Sequence, residues 1–179
     1  MNTFPKLKYL DFGNPDTTLT ALINEIMSGM RVIESIDDAA YRRSSNTSGS
    51  VGAQFRHNLD FLLSLLNGID SGRIDFSDRK RDLRVEMDRE FAVSCFADVI
   101  RRLTNIHPRT AGKSVLVRSE INVDTWLPSS VGREVEFVHS HTVHHHALIC
   151  EKLVGFGIAV GVNFGVAPST LEFWEKKAA

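Results

Sequence analysis

The chain has 179 residues, of which 42% are hydrophobic, so it can bury the core of one ordinary domain. Its 21 lysines and arginines nearly balance its 22 aspartates and glutamates, and the net charge of -1 gives no electrostatic basis for binding a nucleic acid or a membrane surface. Because the N-terminus has no apolar leader and no apolar run approaches the roughly 20 residues of a membrane span, we expect one soluble, cytoplasmic domain over residues 1–179.

The first predicted element is a long amphipathic helix. Its apolar residues recur at helical spacing over 19–36, and Asp16 and Thr17 can cap its start. The polar tract 42–50 is typical of a loop. We expect this loop to end the first helix and to supply Ser50 as the N-cap of the next.

Two further helices follow. The second carries its apolar residues on one face over 51–66, with His57 at the border of that face, and the Asn-Gly pair at 67–68 predicts its end. The third follows a charged stretch, with Asp78 as its expected cap. The His-Pro pair at 107–108 predicts its end.

The last third of the chain changes its pattern twice. Residues 113–123 alternate between apolar and polar, which predicts a short β segment. The serines at 129–130 then precede a long helical pattern, whose end is predicted at the glycines of 155–157. In the tail, a serine at 169 stands three residues before a glutamate, which is the spacing of a capping box and predicts a short terminal helix.

These elements predict an all-α fold in which four main helices pack as a bundle, with a short β segment before the fourth helix. The connections are short, and the sequence contains no internal repeat or linker. Cys95 and Cys150 lie in apolar helical patterns without CxxC spacing. We therefore expect free, buried thiols rather than a disulfide.

Five of the seven histidines fall in the fourth predicted helix, at His139, His141, His144, His145 and His146. At 100° per residue, His141 and His145 project within about 40° of each other on the apolar face. Imidazoles one turn apart on a helix can bind a single metal ion. His139 and His146 fall on another side and are expected to be solvated, and His144 lies at the edge of the inward face.

The HxxxH spacing alone does not decide between a metal site and two histidines held by hydrogen bonds in the core. A third ligand would favour the metal. His57, between Phe55 and Phe61 on the second helix, could face the same interior, because helix bundles commonly draw metal ligands from facing helices. The alternative for His57 is a border residue hydrogen-bonded to water.

The segments SVGAQFRHNLDFLLSLL and SHTVHHHALI resemble the two metal-ligand helices of the DinB/YfiT-like superfamily of metalloenzymes, and the likeness covers most of the chain. It implies an up-down-down-up four-helix bundle with a long crossover, and a metal site made of His57, His141 and His145. The segments DFSDRKRDLRVEMD and FGVAPSTLEFW resemble a bacterial subgroup of these proteins. In that subgroup a second histidine often stands where this chain has Gln54, a departure that we expect to matter if the residue contributes to the site.

Three neutral imidazoles leave a coordination position open for water or an anionic ligand, as in catalytic metal sites. Zn²⁺, Ni²⁺, Fe²⁺ or Mn²⁺ would suit these ligands, and the ion could lower the pKa of a bound water or thiol. The resemblance implies a metal-dependent transferase that uses a low-molecular-weight thiol and a small electrophile. Two alternatives stay open: a metal-assisted hydrolase, and a non-catalytic, metal-stabilised bundle that binds a ligand or partner, with a homodimer as the expected assembly.

Other charged residues give weaker indications. Glu134 projects towards the histidine side and could accept a hydrogen bond from a ligand, although a glutamate in a first helical turn more commonly serves the helix dipole. Arg56 and Asp60, beside His57, are expected on a solvated face. In the run DRKRDLRVEMDRE acids alternate with bases, which indicates exposed helix ion pairs rather than a phosphate-binding patch. The pattern identifies no catalytic base and predicts no DNA binding.

Overall fold

The computed structural model describes residues 17–45 and 49–178, and most of them are helical, beside a small amount of β-sheet. The helices are α1 (Thr17–Ser35), α2 (Asp38–Arg42), α3 (Val51–Ser71), α4 (Leu83–Met87), α5 (Arg89–Thr104), α6 (Val131–Gly155) and α7 (Pro168–Ala178), with a 3-10 turn at Pro108–Gly112. The strands are β1 (Ser44–Ser45), β2 (Gly49–Ser50), β3 (Arg73–Ile74), β4 (Ser114–Arg118) and β5 (Trp126–Ser130). The mainly helical prediction is confirmed.

The four long helices bury one shared core. Helices α1 and α3 each pack against both α5 and α6. Their inward faces carry the apolar residues that the helical spacing predicted, among them Leu22, Ile26, Ile33, Phe55, Leu62, Leu65, Val99, Leu103, Ile149 and Leu153, each at most 2% exposed. Burying each of these side chains stabilises the fold by roughly 1.5–3 kcal/mol before conformational entropy is counted. Helices α3 and α6 are therefore held side by side.

A three-stranded sheet fixes the ends of these two helices. Strand β3 follows α3 directly and pairs in parallel with β4, and β4 pairs antiparallel with β5, which runs directly into α6. The predicted β segment, residues 113–123, is confirmed in part, because residues 114–118 form β4. The remaining residues, 119–123, form the connection to β5, and Ile121 there is almost fully exposed. Strands β3 and β5 were not predicted, because their pairing depends on partners distant in sequence.

Several predicted helix ends are confirmed. The Ser50 hydroxyl accepts a hydrogen bond from the Ala53 amide at 2.9 Å, and Ser130 caps α6 in the same way through the Arg133 amide. Helix α6 ends at Gly155, and Gly157 beyond it has a φ of +78°. Helix α1 is described from Thr17 onwards, and the predicted cap Asp16 lies outside the described residues.

The predicted end of the second helix at Asn67-Gly68 is wrong. Helix α3 continues to Ser71 and is closed by Gly72 in the left-handed conformation. A glycine is needed at position 68 for a different reason, since a Cβ there would lie 2.3 Å from the Ile74 side chain. This glycine therefore allows close packing of β3 against α3 and does not stop the helix.

The predicted cap of the third helix, Asp78, is also wrong. The segment around it is not helical, and the charged stretch forms two helices instead of one. Asp82 caps α4 by accepting from the Arg84 amide, and Asp88 caps α5 by accepting from the Phe91 amide. Three aspartates in eleven residues offer equivalent capping patterns, so sequence alone could not choose between them.

The C-terminal helix exists as predicted, but α7 begins at Pro168, so Ser169 lies inside its first turn and the expected capping box does not describe its start. Cys95 and Cys150 are both free and partly rather than fully buried, and they form no disulfide. Among the residues that the structure describes, no helix is long and apolar enough to cross a lipid bilayer.

Candidate metal centre

The three histidines predicted as ligands meet between α3 and α6. His57 comes from the first half of α3, and His141 and His145 lie one turn apart near the middle of α6. The Nε2 atoms of His57 and His141 are 3.2 Å apart, and one nitrogen from each of the three rings lies within 4.8 Å of the others. Within residues 17–45 and 49–178, no additional histidine, cysteine or carboxylate joins this group.

The spacing and chemistry of this group fit a metal ion. Two nitrogens bound tetrahedrally to one ion, with bonds of about 2.0–2.1 Å, are separated by about 3.3 Å. The separation between His57 and His141 is close to that value. Imidazole nitrogen is a ligand that suits several divalent transition metals, so the three histidines could hold such an ion.

Burial keeps these imidazoles neutral. Desolvation lowers the pKa of His141 to about 3 and that of His145 to about 4, and repulsion from the neighbouring histidines adds to both effects. Desolvation also lowers the pKa of His57, with the Arg79 charge as the next cause. At neutral pH each ring is therefore uncharged and keeps one nitrogen without a proton, which is the form that a metal ion requires.

Gln54 orients one of the three rings. Its side-chain oxygen lies 2.6 Å from Nδ1 of His145, so this nitrogen carries the proton and donates it to the amide oxygen. The tautomer leaves Nε2 of His145 unprotonated and available as a ligand. Gln54, the residue that departs from the resembled subgroup, thus stands directly behind the site, as hydrogen-bond partners of metal-bound histidines commonly do.

Aromatic rings line the other side of the site. Phe61 stacks on His141 with ring centroids 3.8 Å apart and an angle of 15° between the rings. Phe76 stacks on Phe61 in turn, and Phe137 lies beside both Phe76 and His141. This wall is apolar, and Nδ1 of His141 is buried without a hydrogen-bond partner among the described residues. The wall therefore lowers the local polarity around the imidazoles.

Arg79 contacts the site and was not predicted there. Its Nη1 lies 3.2 Å from Nδ1 of His57, and its guanidinium sits over the Phe61 ring. Because arginine only donates, Nδ1 of His57 accepts and Nε2 of His57 carries the proton towards His141. The expectation of exposed helix ion pairs is wrong for Arg79, since residues 78–82 are not helical and Arg79 is half-buried. Nothing in the charge pattern distinguishes it from its neighbours.

The other candidate acids serve packing and pairing. Glu134 is buried and accepts a hydrogen bond from the Ser129 hydroxyl at 2.5 Å, so it ties the end of β5 to the first turn of α6. Asp60 is buried rather than solvated, contrary to expectation, and accepts from the Arg81 amide. Arg56 lies between Asp60 at 3.7 Å and Glu86 at 3.2 Å. These pairs anchor the α4 region against α3.

Two further histidines correct the prediction for α6. His139 and His146 are buried, at 7% and 2% exposure, and not solvated. Nδ1 of His146 lies 2.5 Å from a carboxylate oxygen of Glu25 on α1, and its ring stacks on Phe164. The helix-face analysis failed because α6 is covered on two sides, by α3 and by α1. His144 is exposed, with its ring edge towards His145.

No comparison with known proteins assigns this chain to a family. It matches no protein-family profile. It matches no solved structure. A 49-residue segment is 41% identical to FK506-binding protein 5 from Rhizopus delemar, and the match spans 27% of this chain and 13% of that protein. So short a match carries no fold or activity to this chain.

Proposed function

We propose that this protein is a metal-dependent enzyme that holds one divalent ion on His57, His141 and His145. The observation that carries the proposal is the convergence of three neutral imidazoles, from two helices, at a spacing that suits a single ion. Zn²⁺, Ni²⁺, Fe²⁺ and Mn²⁺ are the candidate ions. The proposal includes a DinB-like four-helix bundle of up-down-down-up topology, a single domain over residues 1–179, a cytoplasmic location and a homodimeric assembly.

A set of three protein ligands favours a catalytic over a structural role for an ion held there. Closed structural zinc sites use four protein ligands, whereas catalytic sites use three and leave one position for water or substrate. The described residues offer three such ligands here. A bound ion would lower the pKa of a thiol or water in that position and so supply a nucleophile at neutral pH.

Within this site the chain's own residues would orient and shield the reactants. Gln54 fixes the ring of His145, and the wall of Phe61, Phe76 and Phe137 excludes water from one side. No carboxylate of the described chain joins the three nitrogens as a ligand, and Asp60 acts on His57 only as a nearby charge. The site therefore keeps a positive charge when an ion is present, which favours a thiolate, and we propose transfer of a low-molecular-weight thiol to a small electrophile.

Metal content is the first test. Elemental analysis of purified wild-type protein should give about one divalent ion per chain, and His57→Ala, His141→Ala and His145→Ala should each lose most of it. The matched control is His144→Ala, which removes an exposed histidine of the same helix and should keep the ion. Equal metal content in wild type and all three ligand variants would contradict the site.

The reaction class is tested on metal-loaded protein. Thiol consumption in the presence of a small electrophile should require the ion and should disappear in His141→Ala. Hydrolysis of an ester or amide that proceeds without any thiol would instead support the hydrolase. A chain that binds the ion through a fourth protein ligand and unfolds when a chelator removes it would support the non-catalytic, metal-stabilised bundle.

A further inference from the structure

Arg79 is a guanidinium without a counter-ion beside the candidate metal centre. Of its five N–H donors, the described residues pair one, the Nη1 bond to Nδ1 of His57. Its Nε is buried and has no hydrogen-bond partner there. No carboxylate of the described chain lies within 4.0 Å of it, although ion pairs engage the nearby Arg56 and Arg118. Buried donors in folded proteins are almost always paired, so this arrangement indicates a missing acceptor.

Metal binding would remove the one partner that Arg79 has. A neutral imidazole that coordinates an ion through Nε2 carries its proton on Nδ1. Nδ1 of His57 could then no longer accept a hydrogen bond from Nη1 of Arg79, since both would be donors. The guanidinium would then lie partly buried beside the ion, without its one hydrogen-bond partner among the described residues and with Nε still unpaired, unless an anion took the place of the imidazole.

We propose that Arg79 is the carboxylate-binding residue of this site, and that it exchanges His57 for a substrate carboxylate when a metal ion binds. This inference rests on the proposed metal site and names the class of substrate that the site takes. A planar guanidinium binds a carboxylate through two parallel hydrogen bonds, a geometry that an ammonium cannot reproduce. The guanidinium lies over the buried Phe61 ring, with its central carbon 5.6 Å from the ring centroid, which holds it beside the site.

The test measures carboxylate binding, which needs no turnover. Wild type, Arg79→Gln and Lys80→Gln are loaded with Co²⁺ and titrated at constant salt with propionate and with its neutral counterpart propionamide, following the visible spectrum of the ion. Lys80→Gln is the matched control, because it removes the same charge from the adjacent, exposed position. Hydrogen bonds to a charged group of this kind are worth about ten- to a hundredfold in affinity.

We expect Arg79→Gln to weaken propionate binding by about that factor and to leave propionamide unchanged, while Lys80→Gln behaves as wild type. Arg79→Lys should restore only part of the loss. Because coupling between two ligands is reciprocal, propionate should also tighten Co²⁺ binding in wild type more than in Arg79→Gln. Equal propionate affinity in wild type and Arg79→Gln, with Co²⁺ bound to both, would overturn the role of Arg79 alone.

Two further arms locate the carboxylate. If it belongs to the thiol, 3-mercaptopropionate should bind more tightly than 2-mercaptoethanol in wild type and lose this advantage in Arg79→Gln. If it belongs to the electrophile, propionate should keep its dependence on Arg79 in the presence of saturating 3-mercaptopropionate. Failure of wild type to bind Co²⁺ at all would overturn the metal site, and this inference with it.

Discussion

His145 and His146, which are adjacent residues of α6, belong to two different clusters of side chains. His145 joins His57 and His141 in a half-buried group whose hydrogen-bond partners are neutral or cationic, Gln54 and Arg79. His146, the next residue, is 2% exposed and bonded to the Glu25 carboxylate. Since Nδ1 is the bonded nitrogen in both His145 and His146, the difference shows that the packing around a histidine, and not the density of histidines along a helix, decides whether its Nε2 can reach a ligand.

Packing completes the contrast. The ring of His146 lies against Phe55 and Phe164, and Gly29 of α1 faces its Nε2 so closely that a Cβ at position 29 would come within 2.6 Å. The rings of His57, His141 and His145, here called the triad, pack against one another and against the aromatic wall that begins at Phe61. We therefore expect His146 to matter for folding and the triad to matter for binding.

The largest expected effect is on the free energy of unfolding of His146→Ala. The substitution leaves a cavity among Phe55 and Phe164 and removes the partner of a largely buried carboxylate, which together should cost about 2–5 kcal/mol. Chemical denaturation of the metal-free protein measures this loss. Metal content per folded chain should stay at the wild-type value.

His144→Ala is the control for this comparison, since it removes an exposed histidine two residues away and should change stability by less than about 0.5 kcal/mol. A His146→Ala protein that folds with wild-type stability but loses its metal would reverse the assignment of the two clusters.

The next effect concerns Gln54, which lies behind the triad. Gln54→Leu removes the acceptor that holds Nδ1–H of His145, so that the ring loses its fixed tautomer and orientation. Loss of such a partner typically costs about 10–100-fold in metal affinity. Competition with a chromophoric chelator measures this dissociation constant. Gln54→Glu keeps an acceptor at the same position and should bind the ion at least as tightly as wild type.

The sequence predicted which histidines lie together better than it predicted their surroundings. Helical spacing and the family resemblance identified His57, His141 and His145, because the i and i+4 positions of a helix share a face whatever the neighbouring chain does. The burial of His146 could not be predicted in this way, since it depends on α1, more than 100 residues earlier in the chain.

The same limit applies to the parts of the fold that depend on long-range contacts. The caps at Ser50 and Ser130 are local and were predicted correctly. The parallel pairing of β3 with β4 and the contact of Arg79 with His57 join segments that no local pattern relates. Gly68 shows how a contact can even reverse a local signal, since packing against Ile74 requires the glycine that resembled a helix end.

Acid should destabilise the metal-free protein through the triad. Burial lowers the pKa of His141 to about 3 and that of His145 to about 4, whereas the unfolded chain titrates near 6.5. Below pH 6.5 the unfolded state therefore binds protons that the folded state does not, so the free energy of unfolding falls as the pH drops towards 4 and is unaffected above 6.5. Urea denaturation at several pH values measures how steeply the free energy of unfolding changes with pH. The change should be shallower in a His141→Gln/His145→Gln protein. Equal pH dependence in wild type and this variant would contradict an origin in the triad.

The smallest effect has the opposite sign from the first. Nδ1 of His141 is buried without a partner, and the ring is stacked on Phe61, so His141→Leu replaces an unsatisfied polar group with an apolar one in apolar surroundings. The Nε2–H of His57 loses its acceptor, but His57 is only half-buried and water can replace that bond. We expect the metal-free variant to be more stable than wild type by up to about 1 kcal/mol, while its metal content is lost. Denaturation of both chelated proteins measures the difference. A destabilised His141→Leu would place His141 with His146, as a residue held in the core for its packing, and would remove the distinction between the two clusters.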